Sequence, residues 1–150
     1  MSDYNDDGLG PFALQGAILR AWNKTAVAVL DGYEGERDKE FTAHATRFED
    51  SDTMLFFGYV AQATGQVIMQ SKIVNALASS PESRQAKRQD IKRRADAVEL
   101  FRLIKREYLS DVAVQFSLTE RGREVLAMYG AAYAAEVQKL KDDKDDKDAA

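Results

Sequence analysis

The stretch SSPESRQAKRQDIKRRADAVELFRLIKREYLSDVAVQFSLTERGREVL, residues 79–126, decides the fold of this 150-residue chain. Ser79 or Ser80 is a typical helix N-cap, and Pro81 suits the first helical turn. The segment 83–94 then holds six cations and one acid, Asp90, although the formal net charge of the whole chain is −4. These features predict a strongly basic helix over about residues 80–96.

Helical periodicity gives this basic helix an inner and an outer face. At about 100° per residue, Ile91, Ala95 and Val98 share one face, which we expect to be buried. The outward-facing polar residues suit a DNA major groove, because Gln pairs with adenine edges and Arg or Lys pairs with guanine or phosphate. We expect base contacts from Ser83, Gln85, Gln89, Lys92 and Arg93, and phosphate contacts from Arg84, Lys87, Arg88 and Arg94. A solvated, charged helix face is the alternative interpretation of such a charge run.

A β-hairpin is predicted directly after this helix. Residues 111–118, DVAVQFSL, alternate with Val112, Val114, Phe116 and Leu118 on one side, which is typical of a half-buried strand. Residues 101–108, FRLIKREY, can form the partner strand, with a turn at 109–111. The alternative extends the preceding helix through Leu109, so the state of residues 97–109 stays open. Ser117–Glu120 is a capping-box pattern that opens the next helix.

The helix, the hairpin and the segment FSLTERGREVL (residues 116–126) resemble the recognition helix, wing and wing-to-helix junction of MarR-type winged-helix regulators. The junction of that family typically reads leucine-threonine-x-x-glycine. The matching residues here are Leu118, Thr119, Glu120, Arg121 and Gly122, followed by Arg123, Val125 and Leu126. The resemblance covers about residues 53–129. It implies a mainly α fold with a small β-hairpin wing, a winged helix-turn-helix with N- and C-terminal dimerisation helices.

The predicted wing departs from the family pattern at its tip. The turn reads Leu109-Ser110-Asp111, where the resembled family usually has an arginine-rich tip. Lys105 and Arg106 lie in the first strand instead, where we expect them to contact the DNA backbone beside the wing. Insertion of this wing into a minor groove is therefore not predicted.

The flanking sequence predicts further helices and one short strand. We expect helices over residues 11–31, 40–48, 54–63, 70–77 and 119–140, and a strand over 66–69. The third of these helices would be capped by Ser51 or Asp52 and would turn Leu55, Phe56, Tyr59 and Val60 inward. The first would carry an apolar stripe of Phe12, Leu14, Ile18, Leu19, Trp22, Ala26, Val27 and Leu30. The order helix, strand, helix, helix, hairpin is the one that a winged helix-turn-helix requires.

These elements predict one domain. We expect a flexible N-terminus over residues 1–10, a single winged-helix domain with flanking dimerisation helices over 11–140, and a charged flexible tail over 141–150. The first and last helices each have an apolar face that needs a cover. The resemblance implies a homodimer built from both termini, and packing of the two helices within one chain is the alternative.

Composition argues against several classes of protein. The chain has no cysteine, which excludes disulfides and thiolate metal sites. His44 is the only histidine, and no phosphate loop, nucleophile elbow or metal-ligand spacing occurs. We therefore expect neither an enzyme nor a metal or other cofactor. No apolar run approaches the roughly 20 residues of a membrane span, and the polar, acidic N-terminus is unlike a signal peptide, so we expect a cytoplasmic protein without a membrane partner.

The leading hypothesis is a dimeric transcriptional regulator that binds specific double-stranded DNA. In the resembled family a small-molecule effector often binds between the dimerisation helices and the winged domain, and Trp22, Phe56, Tyr59 and Tyr129 could line such a pocket. Core packing is the alternative role for each of these four. The competing hypothesis is a non-enzymatic helical protein–protein interaction or assembly subunit, which the acidic pI of about 5.1 favours. The sequence does not encode the operator, the effector, or the choice between repression and activation.

Overall fold

The computed structural model describes residues 9–149, with side chains through residue 146. This part of the chain forms six α-helices and one three-stranded antiparallel sheet, which confirms a mainly helical fold with a small sheet. The helices are α1 Pro11–Asp31, α2 Lys39–Glu49, α3 Ser51–Gln62, α4 Gln70–Leu77, α5 Arg84–Leu100 and α6 Glu120–Ala149. The strands are β1 Val67–Met69, β2 Ile104–Tyr108 and β3 Val114–Leu118. Short 3-10 turns occupy Thr64–Gln66 and Pro81–Ser83.

The sheet has β3 in its centre, between β1 and β2. Phe116 lies opposite Ile68 on one side and Arg106 on the other. The predicted alternation holds from Val114 onward, since Val114, Phe116 and Leu118 are buried. It fails at Val112, which is 92% exposed. The backbone N–H of Leu109 donates to the Ala113 carbonyl at 2.8 Å, and this closes a loop from which the second strand emerges only at Val114.

The boundary between α5 and the hairpin falls inside residues 97–109. The helix extends through Leu100 and β2 begins at Ile104, so the prediction that residues 101–103 belong to the strand was wrong. The helix ends by the pattern of a Schellman motif: Arg102 N–H donates to Glu99 O at 2.9 Å and Leu103 N–H to Val98 O at 3.1 Å. The turn buries Phe101 and Leu103 in the core.

The helix caps differ from prediction in two places. Asp50, rather than Ser51 or Asp52, caps α3 by accepting from Asp52 N–H at 3.3 Å. Thr119 caps α6, since its Oγ1 accepts from Gly122 N–H at 2.9 Å, so the capping box predicted from Ser117 is not the one in use. Ser80 caps the turn before α5 as predicted, through a capping box with Ser83.

A close contact explains the glycine of the leucine-threonine-x-x-glycine motif. A Cβ at Gly122 would lie 2.2 Å from the carbonyl oxygen of Leu103 and 2.6 Å from a methyl carbon of Leu118. Thr119 N–H donates to that same Leu103 carbonyl at 3.1 Å. The motif therefore joins α6 to the turn that ends α5, and any larger residue at position 122 would push the two apart.

Helices α1 and α6 pack along each other within the one chain, the alternative that the sequence left open. Trp22 of α1 is buried and contacts the rings of Phe48, Phe57 and Tyr129 at centroid distances of 5.3, 6.0 and 6.4 Å. Part of the predicted α1 stripe stays exposed, with Phe12, Leu19 and Val27 at 88%, 43% and 44%. The packing thus covers one face of α1 and leaves another open.

Helix α3 is rotated relative to its predicted orientation. Phe56 and Val60 are buried as expected, but Leu55 and Tyr59 are 47% and 37% exposed. Phe57 is buried in their place, because it packs against Trp22 of α1.

The two predicted flexible ends fall largely at the limits of the described chain. Residues 1–8 and residue 150 lie outside the described residues, and Leu9 is buried. Helix α6 continues through Ala149, so residues 141–149 of the predicted tail are helical, while their flexibility stays a prediction. Between residues 9 and 149, no helix is both long and apolar enough to cross a membrane.

Candidate nucleic-acid interface

The outer face of α5 presents most of the residues predicted to contact DNA. These side chains are exposed: Arg84, Gln85, Arg88, Gln89, Lys92 and Arg93. Ser83 and Lys87 are half-buried at the edge of this face. The inner face buries Ile91, Ala95 and Val98, as the helical period predicted. We call the exposed residues of the segment 84–93 the basic face.

The cations of the basic face are nearly free of acidic partners. The one acid in this segment, Asp90, lies 3.8 Å from the Lys87 ammonium. Arg88 donates a hydrogen bond to the side-chain oxygen of Gln85 at 2.5 Å. Because Gln85 is neutral, this bond does not neutralise the charge of Arg88. Within the described residues, Arg84, Lys92 and Arg93 form no ion pair, so this surface keeps a strong local positive charge on an acidic protein.

Arg94 does not belong to the basic face, because its side chain is buried and ion-paired rather than exposed for the predicted phosphate contact. Only 9% of Arg94 is exposed. Its Nε donates to Asp90 at 2.9 Å, and its Nη1 donates to Asp50 and to Thr53 Oγ1, both at 3.0 Å. Although burial lowers the pKa of Arg94, hydrogen bonds and charge from Asp90 and Asp50 raise it above its ordinary value. Arg94 is a charged internal link between α5 and the start of α3.

The hydrogen bond from Arg94 also changes the pKa of its acceptor, Asp50. Burial raises the pKa of Asp50, but the hydrogen bond from Arg94 and the Asp52 N–H lower it, and the net direction is below the ordinary value. Asp50 therefore stays ionised while it caps α3. The Arg94 guanidinium thereby links α5 to the start of α3, next to the buried side chains Ile91, Ala95 and Val98.

Arg106 in the wing, predicted to contact the DNA backbone, is likewise held by internal ion pairs. The Arg106 side chain is 8% exposed, and its Nη2 donates to Asp96 at 2.5 Å and to Glu99 at 3.0 Å. Burial lowers its pKa, and the two carboxylates raise it above the ordinary value. Lys105 on the same strand is exposed. Arg106 ties β2 to the C-terminal half of α5, which leaves Lys105 as the wing cation of β2 that can face DNA.

The wing tip is apolar and acidic. Tyr108, Leu109 and Val112 are 64%, 53% and 92% exposed, and the neighbouring charged residues are Glu107 and Asp111. The loop is ordered by Ser110, whose Oγ accepts from Ala113 N–H at 3.1 Å. This tip carries no cation for a phosphate or a minor groove.

A cavity of about 410 Å³ lies between α1, α3 and α6, near the predicted effector pocket. It is lined by Ile18, Trp22, Met54, Leu55, Phe57, Gly58, Tyr59, Ala61, Gln62, Leu126 and Tyr129. Three of the four predicted pocket residues line it. Phe56 does not, because it is fully buried against the Phe116 ring at 5.2 Å. Burial, and secondarily Tyr133, raises the pKa of the Tyr129 hydroxyl.

The sequence missed Phe57 as a cavity residue. Consecutive aromatics at 56 and 57 are compatible with two rotations of α3, and only the position of Trp22 on α1 selects between them. Candidate metal ligands do not gather anywhere in the described chain. The histidine, His44, has its Nε2 3.8 Å from the carboxylate of Glu40.

Comparison with known proteins yields no relative on which a function could be based. No family model, no curated protein and no solved structure matches this chain.

Proposed function

We propose that this protein is a sequence-specific DNA-binding transcriptional regulator of the winged helix-turn-helix, MarR-like type, with α5 in the major groove. The observation that carries the proposal is the basic face: Gln85, Gln89, Lys92 and Arg93 are exposed opposite the buried face of α5, Arg88 is exposed on its flank, and Arg84 is exposed at the first residue of the helix. An α-helix fits the major groove of B-DNA, where glutamine and arginine can read base edges.

The arrangement of elements supports this docking. The order α3, β1, α4, α5, β2, β3 and the sheet order β1-β3-β2 are compatible with a winged helix-turn-helix. The element before α5, α4, ends in a tight turn at Ser80 and exposes Lys72. That lysine would face the sugar-phosphate backbone beside the groove that α5 enters.

The proposed DNA contacts are of two kinds, contacts to base edges and contacts to phosphates. Gln85, Gln89, Lys92 and Arg93 would meet base edges, because they lie on the outermost side of α5. Arg84, Lys87 and Arg88 would hold phosphates, with Lys105 adding one contact from the wing. Each neutralised phosphate contributes about −0.9 to the slope of log affinity against log salt, so each protomer should give a slope of several units.

The exposed side of α1 supports a homodimer. Phe12, Leu19 and Val27 share one face of α1 and remain exposed after α6 has packed on another. A second protomer would cover this face and place two copies of α5 on successive turns of DNA. A small apolar effector would enter the cavity of about 410 Å³ beside Trp22, Tyr59 and Tyr129.

The test is fluorescence anisotropy of labelled duplex DNA, titrated with protein at several salt concentrations. We expect affinity to fall steeply with salt and Arg93→Ala to weaken binding by about tenfold or more, since a good base contact contributes about 1–3 kcal/mol. Arg121→Ala is the matched control. It removes the same charge from α6, where Arg121 pairs with Glu124, and should leave DNA affinity unchanged.

Two results of these titrations would contradict the proposal. Non-specific DNA binding reaches about 10⁻⁴–10⁻⁶ M at physiological salt, so an absence of binding at low salt excludes α5 as a DNA reader. Equal effects of Arg93→Ala and Arg121→Ala would exclude docking by the basic face.

The second candidate is a protein–protein interaction or assembly subunit. The wing tip favours it, because Tyr108, Leu109 and Val112 are exposed apolar side chains on an ordered loop. This second function predicts two results. The parent protein does not bind DNA, and the Val112→Asp variant no longer binds a protein partner that the parent binds.

A further inference from the structure

A second cavity of about 490 Å³ lies at the far end of α5 from the basic face. It opens between the C-terminal end of α1, the loop that follows, the turn after α5 and the first turn of α6. The lining residues are Val29, Gly32, Tyr33, Glu34, Gly35, Leu100, Phe101, Arg102 and Arg121. Its volume is within the range of about 300–1,000 Å³ that small-molecule sites occupy.

The cavity combines two guanidinium groups, one carboxylate and an apolar wall. Arg102 forms no ion pair among the residues that the structure describes, and Arg121 forms one, to the exposed Glu124 at 3.2 Å. Glu34 is exposed at the rim and has no ion pair in the described chain. The wall includes Phe101, which is buried, and Tyr33, whose ring meets the Phe101 ring edge-on at 5.5 Å.

Arg102 occupies a backbone position that normally favours glycine. Its φ is +65°, in the left-handed region, at the position of the Schellman motif where glycine is the usual residue. The conformation is held by Thr119 Oγ1, which donates to the Arg102 carbonyl at 2.6 Å. An exposed arginine, which is one of the lining residues of the cavity, thus occupies a position where a glycine would fit without strain.

We propose that this cavity binds a free amino acid with an apolar or aromatic side chain. Arg102 and Arg121 would bind the carboxylate, since guanidinium groups match carboxylates in charge and geometry. Glu34 would bind the ammonium group. Val29, Leu100 and the rings of Tyr33 and Phe101 would contact the side chain. Arg102 and Glu34 complement the two charges of a zwitterion, and Arg121, which also pairs with Glu124, would add a second guanidinium for the carboxylate.

Isothermal titration calorimetry of the full chain tests the ligand class. The probes are L-phenylalanine and L-leucine, with phenylpropanoate lacking the ammonium group and phenylethylamine lacking the carboxylate. We expect an amino acid to bind and each analogue of phenylalanine to bind at least about tenfold more weakly, a loss of about 1.4 kcal/mol. No heat from either amino acid at concentrations up to about 10 mM, or equal binding of an analogue, overturns the proposal.

Arg102→Gly tests the site without threatening the fold, because glycine adopts the left-handed conformation freely. We expect this variant to melt at a higher temperature and to lose the calorimetric signal of the amino acid. Gln66→Gly is the matched control, since Gln66 also has a positive φ, +58°, and lies outside the cavity. It should melt higher and bind normally. Unchanged binding in Arg102→Gly, or equal loss in Gln66→Gly, overturns the assignment of the site.

Discussion

The outer side of α5 and the wing both carry exposed or buried cations, but the charges of these cations have different partners. On α5, Arg93 and Lys92 are exposed and unpaired within the described chain. On the wing, Arg106 is 8% exposed in its side chain and bound to Asp96 and Glu99. The charge of the first pair is available to a ligand, and the charge of Arg106 is cancelled inside the protein.

The comparison shows that a cation's acidic neighbours decide its role more than its place in a basic run. Arg93 and Arg94 are adjacent in sequence. The rotation of about 100° between neighbouring helical residues is enough to leave one arginine exposed and the other buried. The acids that pair with Arg94 are Asp90 of its own helix and, at the start of α3, Asp52 and Asp50, the latter 44 residues away. A basic surface must therefore be counted after internal ion pairs are removed.

The largest effect we expect is on stability, from Arg94→Met. This change removes hydrogen bonds to two carboxylates and to Thr53, and bonds to charged groups contribute about 1.5–3 kcal/mol each in favourable cases. Because the carboxylates are partly exposed and can rehydrate, we expect a loss of about 2–3 kcal/mol in the free energy of unfolding. Urea denaturation measures it. Arg93→Ala should stay within about 0.5 kcal/mol of the parent, and equal losses would erase the distinction between the two arginines.

The next effect concerns DNA binding and compares α5 with the wing directly. Arg88→Ala should reduce the slope of log affinity against log salt by about 0.9, because one phosphate contact is lost. Arg106→Ala should leave that slope unchanged, since its charge is already bound to Asp96 and Glu99. Anisotropy titrations at three or more salt concentrations give both slopes. A reduced slope in Arg106→Ala would mean that the wing contacts phosphate after all.

The third prediction concerns an acid, Glu136, that is buried in an internal ion pair. Glu136 on α6 is 1% exposed and accepts hydrogen bonds from Lys24 and Arg20 of α1. These bonds lower its pKa from 4.5 to about 2, against the opposing effect of burial. Because the folded pKa is the lower one, the stabilisation is complete above about pH 4.5 and is lost as the pH falls towards 2.

Glu136→Gln should flatten the pH dependence of the free energy of unfolding in that acidic window. Chemical denaturation at a series of pH values between about 5 and 2 measures it. Asp142→Asn, on the exposed end of the same helix, is the control and should keep most of the parental dependence. A profile of Glu136→Gln that matches the parent would show that another carboxylate carries the effect.

The smallest effect is expected at Arg102, a cation with no acidic partner in the described chain but with a left-handed backbone. That conformation costs about 1–2 kcal/mol for most residues, while glycine adds about 0.4–1 kcal/mol of unfolded-state entropy. Arg102→Gly should therefore raise the free energy of unfolding by about 0.5–1 kcal/mol. Thermal and urea denaturation would show it. A loss of stability would mean that the Arg102 side chain contributes packing that outweighs its strain.

Local patterns predicted the elements well and their orientations less well. Helix α1 spans residues 11–31 and α4 spans 70–77, both as predicted, because periodic apolar residues and turn residues are local signals. The rotation of α3 was wrong at Leu55 and Tyr59, since consecutive apolar residues allow more than one buried face. Gly122 was recognised as part of a motif, but its close approach to the Leu103 carbonyl is visible only in the fold.

The sequence by itself determined the order of helices and strands, the burial of Ile91, Ala95 and Val98, and the presence of a strongly basic segment, since each depends on neighbouring residues. The tertiary structure decided which cations stay available. Asp50, Asp96 and Glu99 neutralise Arg94 and Arg106, because folding brings carboxylates within about 3 Å of guanidinium groups that cannot be buried unpaired. It also decided where the cavities open, because those depend on how distant helices pack.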